Sequence, residues 1–212
     1  MEIDSEGKVI NHEIVESVIR SNKRMIYEDV TKILEDNDQE LIERYSDYVD
    51  DFRDMETLAQ TLRDKRMRRG SIDFDLDETK ITLDLKGKPI DVMPYERGIS
   101  NRIIEEFMLV CNETVAEFMT WNDIPFVYRI HEEPAIEKIL EFNEFIHNFG
   151  HHLKGIGGKI HPKSLQNLLE QIKGSREETV ISTVMLRSLQ KAKYSSENMG
   201  HFGLAAKYYS HF

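Results

Sequence analysis

Apolar residues recur along this chain with two different periods, and the changes of period mark out its elements. The stretch "MEIDSEGKVINHEIVESVIRS" holds two short segments around Gly7. In the second, Ile14, Glu16, Val18 and Arg20 alternate with Val15, Ser17 and Ile19, which predicts strands. From about residue 25 the period lengthens: Ile26, Val30, Ile33 and Leu34 recur at helical spacing and leave Tyr27 on the flank of their stripe. Leu41, Tyr45, Tyr48, Phe52, Met55, Ala59 and Leu62 then step by threes and fours, predicting one long helix that Gly70 ends. "SIDFDL", "KITLDL" and "PIDVMPY" predict a three-stranded meander, with Gly87 turning the chain between the last two. A second major helix is predicted over about 100–121, followed by a strand in "PFVYRIH". Further helices begin at about Pro134 and Pro162, in first turns where a missing N–H costs nothing, and another covers about 177–191. Short strands mixed with several long amphipathic helices, without regular alternation or internal repeat, give an α+β class.

Composition narrows the function more than the fold. With 212 residues and 40% hydrophobic content the chain can build a core. A formal net charge of -11, in a chain with 32% charged residues, disfavours general attraction to nucleic acid or anionic membrane. The local exception is "RDKRMRRG", where Arg63, Lys65, Arg66, Arg68 and Arg69 precede Gly70. Two readings stand there: a solvated helix end whose cations complement the dipole, or a phosphate-facing patch. Cys111 is the only cysteine, which excludes an intrachain disulfide and fits a reducing compartment. No apolar run approaches membrane-span length and the first twenty residues lack a signal-peptide layout, so a cytoplasmic location and no membrane partner are expected.

Most candidate chemistry dissolves on inspection. Asp73, Asp75 and Asp77 begin like a calcium loop but lack the glycine of its sharp turn, and alternation simply puts them on one strand face. The loop "HHLKGIGGKIHP" has no Lys-Ser or Lys-Thr after its glycines, so it is not a P-loop, and His147, His151 and His152 lack spacing that favours zinc. Glu105 is more informative. On the helix "NRIIEEFMLVCNETVAEFMTW", Ile103, Ile104, Phe107, Met108, Cys111, Val115, Phe118 and Met119 form the apolar face, and Arg102, Glu106, Glu113 and Glu117 the solvated one. Glu105 belongs to neither, beside Leu109, Asn112 and Ala116. A buried hydrogen-bond acceptor and a ligand contact both suit it.

Six blocks, "RMIYEDV", "RRGSIDFD", "NRIIEEFMLVCNETVAEF", "YRIHEEP", "MLRSLQKAKYS" and "GHFGLAAKYYSHF", together resemble, in order and approximate spacing, the catalytic (RNB) domain of the ribonuclease R and ribonuclease II family of 3′-to-5′ exoribonucleases. The fourth and sixth look closer to ribonuclease R. The resemblance implies a processive hydrolase that takes single-stranded RNA to nucleoside monophosphates, with Mg2+ as cofactor and no obligate protein partner. It also implies that residues 1–212 are the central-to-late part of one such domain, an incomplete nuclease domain. The magnesium-holding aspartates would precede it, and an arginine that clamps the scissile phosphate would follow it. No catalytic or metal-binding residue is then expected within the chain, and the 212 residues alone are expected to be inactive. An apolar ending in "GHFGLAAKYYSHF", which reads like the interior of a domain, agrees with that expectation.

What carries over from the family is RNA contact. The position matching its base-stacking aromatic is Phe74, and those matching its sugar-phosphate contacts are Tyr27 and Glu105. Stacking tolerates every base, as a processive enzyme requires, and a carboxylate or phenol that accepts from a ribose 2′-hydroxyl would separate RNA from DNA. Alternation instead pairs Phe74 with Ile72 and Leu76 as core. Two other functions remain open from sequence: a noncatalytic RNA-binding relative, and a helical interaction scaffold without RNA affinity.

Overall fold

The computed structural model describes all residues except 75–77, 96, 156–158 and 212. Its elements run β1 (Glu2–Ile3), β2 (Val9–Asn11), α1 (Tyr27–Thr31), a π-helical turn (Lys32–Asp36), α2 (Gln39–Arg44), a 3-10 turn (Ser46–Tyr48) and α3 (Val49–Arg69). They continue with β3 (Glu78–Leu83), β4 (Pro89–Tyr95), α4 (Ile99–Trp121), β5 (Tyr128–Ile130), α5 (Ile136–His147), α6 (Pro162–Ile172), α7 (Glu178–Ser188) and β6 (Lys193–Ser195). The α+β class holds. The chain divides into two compact units, Met1–Arg63 with Asp75–Met108, and Asp64–Phe74 with Leu109–Phe212.

In the first unit two antiparallel hairpins, β1–β2 and β3–β4, turn on the same device. Asp4 Oδ1 accepts from the N–H of Glu6 at 3.0 Å and of Lys8 at 2.8 Å. Asp84 Oδ1 accepts from Lys86 at 2.8 Å and Lys88 at 2.9 Å, so each carboxylate replaces partners that the bent backbone cannot supply. The strand predicted through Ile19 stops at Asn11: residues 12–20 take no regular structure, and Val18 and Ile19 are almost wholly exposed. Alternation makes a strand only where a neighbour pairs with it, and the β1–β2 register offers none beyond Asn11. The predicted long helix is broken at Tyr45, whose backbone leaves helical geometry (φ -117°, ψ 25°) between α2 and the 3-10 turn. Its ring stays in the core with Val30, Ile33, Val49 and Phe52, while its hydroxyl donates to Asp29 Oδ2 at 2.8 Å. The apolar period therefore survives a break that it does not reveal.

In the second unit α5, α6 and α7 enclose a core of Ile139, Phe142, Ile146, Leu165, Leu168, Ile172, Ile181 and Met185, joined by Ile72. The meander's first strand is not formed over residues 71–74, and Leu76 lies outside the described residues. The backbone there is tied elsewhere: Ile72 N–H donates to the Gly203 carbonyl at 2.7 Å and Asp73 N–H to Gln166 Oε1 at 3.0 Å. Gly70 ends α3 as expected, in a Schellman arrangement: Ser71 N–H meets the Arg66 carbonyl at 3.1 Å and Gly70 N–H that of Met67 at 3.0 Å. Glycine is required twice over, since its φ is +101° and a Cβ would lie 2.8 Å from Lys163 Cβ. Pro162 occupies the first turn of α6, whereas Pro134 sits before the Ala135 N-cap of α5. Strand β6, which pairs Lys193–Ser195 with β5, has no alternation long enough to predict it.

Candidate functional site

The first unit brings Tyr27 to the start of α4. Tyr27 opens α1 with its side chain exposed, after an extended Ile26 that supplies no side-chain cap. Its carbonyl accepts from Ser100 Oγ at 2.9 Å. A hydroxyl has one proton to give, so the 2.7 Å contact between Ser100 Oγ and Thr31 Oγ1 is donated by the threonine. Glu35 Oε1 accepts from Ile99 N–H at 2.8 Å, where a carboxylate also meets the positive end of the α4 dipole. Gly98 permits the approach, because a Cβ there would lie 2.5 Å from Thr31 Oγ1. The first turn of α4 is thus clamped to α1 and the π-helical turn. Beside the clamp opens an apolar cavity of about 290 Å³, lined by Tyr27, Met25, Phe52, Met55, Ile103 and Ile104 among others.

Glu105 stands in the second turn of α4 with its side chain 31% exposed, paired with the Arg97 guanidinium through Oε2. Its neighbour reverses the expectation from sequence. Glu106, placed on the solvated face by its spacing, is 3% exposed, and its carboxylate lies 3.9 Å from Arg63 Nη1. The buried stripe of α4 runs through Ile103, Glu106, Leu109, Asn112 and Ala116, while Ile104 and Met108 remain exposed. Polar members are tolerated in that stripe because they are partnered: Asn112 Nδ2 donates to Tyr209 Oη at 3.4 Å, and Glu106 faces Arg63.

Phe74 belongs to the second unit, half-buried and packed against the cluster that contains Ile72. The core side of the alternation reading therefore holds for Ile72 and in part for Phe74. The solvated-end reading describes Arg68, exposed in the last turn of α3, but neither reading describes Arg66 and Arg69. Arg66 is buried and donates to Ser71 Oγ at 3.0 Å. Arg69 grips both oxygens of Glu113 at 2.7 and 2.6 Å and the Leu204 carbonyl at 3.0 Å. Within the second unit these side chains tie the last turn of α3 to Ser71, Glu113 and the Leu204 carbonyl, a use that bidentate guanidinium geometry favours.

Sequence reasoning passed over His131 and His201, whose rings meet edge to face with centroids 5.1 Å apart. His131 Nδ1 accepts from Gly203 N–H at 3.0 Å and His201 Nδ1 from Leu204 N–H at 3.2 Å. Burial, and after it the neighbouring His131, push the His201 imidazole down to about 3. Burial lowers His131 as well, and both rings are neutral near neutral pH. They lie seventy residues apart in no catalytic or metal spacing, and the one signal was the glycine on either side, Gly200 and Gly203.

Among the described residues no group of three or more His, Cys, Asp or Glu side chains is arranged to hold a metal ion. Asp75 and Asp77 lie outside the described residues. The described residues do not fit a magnesium site. No described helix is long and apolar enough to cross a membrane.

Comparison with known proteins places these features in a family. A profile described as the RNB domain matches residues 1–212. Ribonuclease R 1 of Lactococcus lactis is 44% identical over 212 residues, covering 100% of this chain and 26% of that protein. Ribonuclease R of Thermotoga maritima is 42% identical over 213 residues, covering 100% of this chain and 30% of its own length. The chain thus spans between a quarter and a third of these relatives. Among solved structures, Mycoplasma genitalium RNase R in complex with ribose-methylated single-stranded RNA superimposes with a TM-score of 0.77 at 26% identity, over 88% of this chain and 29% of the other.

Proposed function

Because the chain belongs to the RNB-domain family, we propose that it is the central-to-late part of a ribonuclease R-like catalytic domain, which hydrolyses single-stranded RNA from the 3′ end to nucleoside monophosphates. The observation that carries this reading is the family match across all 212 residues, joined to 44% identity with a named ribonuclease R. Magnesium, if it serves the reaction, is held by groups outside the described residues. The contribution of this chain is then to hold the substrate.

Tyr27, Phe74 and Glu105 are the residues we assign to that task. Tyr27 and Glu105 share one clamped structural unit, in which Tyr27 is exposed and Glu105, in the second turn of α4, keeps 31% of its side-chain surface. A carboxylate there can accept a ribose 2′-hydroxyl, which DNA does not have. Phe74, half-buried on its core, has a ring edge or face left for a base. The single-stranded RNA in the Mycoplasma genitalium complex supports that ligand class. The test is equilibrium binding of the full-length gene product to RNA and DNA strands of one sequence, with a chelator present to stop hydrolysis. Glu105→Gln should weaken RNA binding and leave DNA binding as it was; equal loss for both, or none, contradicts the assignment.

A further inference from the structure

Glu105 carries its ion pair at one oxygen only. Oε2 meets Arg97 Nη2, while Oε1 makes no hydrogen bond to another described residue. Arg97 is in turn placed by its backbone. It precedes Gly98, which fits against Thr31 only because it lacks a Cβ, and Ile99, whose N–H is taken by Glu35 at 2.8 Å. The guanidinium therefore projects from a segment clamped to α1, the element whose first residue is Tyr27. Both partners keep about a quarter to a third of their side-chain surface, 27% for Arg97 and 31% for Glu105, so the pair is reachable from solvent.

Resting on the assignment of Glu105 to RNA contact, we infer that Arg97 is a positioning residue for it: the guanidinium holds one carboxylate oxygen and leaves the other to accept from a ribose 2′-hydroxyl. An unheld glutamate has several rotamers to lose when it binds, and ordering one side chain on association weakens affinity appreciably. A planar guanidinium on a fixed backbone removes most of that cost beforehand, with a directional hydrogen bond that a lysine ammonium does not enforce. The rival role for an arginine at such a surface is a direct phosphate contact. The two roles separate experimentally, since phosphate is common to RNA and DNA and the 2′-hydroxyl is not.

The experiment compares Arg97→Ala, Arg97→Lys, Glu105→Gln and the double variant Arg97→Ala/Glu105→Gln in the full-length gene product. Binding to RNA and DNA strands of one sequence is measured over a range of salt concentrations, with a chelator present and circular dichroism confirming the fold. The expected result is a fall in RNA-over-DNA preference of about three- to tenfold for Arg97→Ala, the scale of ordering one side chain on binding. Arg97→Lys should recover part of it, and the double variant should lose no more preference than Glu105→Gln alone. If Glu105→Gln lowers the preference and Arg97→Ala does not, the positioning role is overturned while the assignment of Glu105 survives. Equal losses for RNA and DNA in Arg97→Ala, with the salt slope shallower by about 0.7, would make Arg97 a phosphate contact instead. No change of preference in Glu105→Gln overturns both. Should Arg97→Ala fail to fold, Arg97→Lys and Arg97→Gln carry the same comparison.

Discussion

Ser100 donates its hydroxyl proton to the carbonyl of Tyr27 at 2.9 Å, joining the first turn of α4 to the first residue of α1 across 73 residues of chain. Thr31 completes the arrangement by donating its hydroxyl proton to Ser100 Oγ, and Ser100 is 4% exposed. Ser100→Ala leaves the Tyr27 carbonyl and the Thr31 hydroxyl without this partner in a place that water reaches poorly. The expected cost is about 1–3 kcal/mol, the penalty for buried polar groups left unsatisfied. Urea denaturation of the variant measures it, and a loss below roughly 0.5 kcal/mol, the range of ordinary surface changes, contradicts the clamp.

Phe74 and Ile72 share one cluster but differ in depth, Ile72 being 7% exposed and Phe74 only partly buried. Ile72→Ala is expected to cost about 2–5 kcal/mol of stability, as for buried aliphatic truncations. Phe74→Ala is expected to fall short of the roughly 3–5 kcal/mol of a fully buried phenylalanine, and to weaken RNA binding by about 1–3 kcal/mol if a base stacks there. Paired stability and RNA-binding measurements decide the matter. A full core penalty with unchanged RNA affinity makes Phe74 a core residue and nothing more.

His201 links stability to pH. Its folded value of about 3 lies well below the ordinary histidine value of 6.5, so between these limits the unfolded chain binds the proton and the folded one does not. Unfolding takes up protons there, and stability falls as pH drops from about 6.5 toward 3. His131 is shifted in the same direction and adds to the effect, with Arg129 and Tyr209 as the other titratable groups nearby. His201→Gln should flatten the melting-temperature profile between pH 6.5 and 4, whatever it does to absolute stability. An unchanged slope would show that other groups carry the acid sensitivity.

Where local chemistry decides structure, the residues announced it. Gly70 and Gly87 stop a helix and turn a hairpin as their positions predict, because few other residues suit those backbones. The break at Tyr45 was invisible, since a kinked helix and a straight one can bury the same apolar period. Glu106 left its expected solvated face for a related reason. Spacing arguments equate apolar with buried, and here Arg63 and Tyr209, distant in sequence, let Glu106 and Asn112 occupy the interior stripe. The arginines of "RDKRMRRG" misled in the same way, because Ser71, Glu113 and the Leu204 carbonyl are partners that only the fold supplies. Of the three residues assigned to RNA, Tyr27 and Glu105 fall within one structural unit and Phe74 in the other, a division that no periodicity carries.

The way RNA is consumed tests the proposed function most directly. The measurement is a time course with 5′-labelled single-stranded RNA and DNA of the same sequence, magnesium present, comparing the full-length gene product with the 212-residue chain. The expected result is stepwise shortening of RNA from its 3′ end by the full-length product, with release of nucleoside monophosphates, intact DNA, and no release by the 212 residues alone. Internal cleavage, equal digestion of DNA, or no degradation by the full-length product would contradict the proposed function. Equal magnesium-dependent release by both proteins would contradict the division of labour, and would turn the search for catalytic carboxylates to Asp73, Asp75 and Asp77.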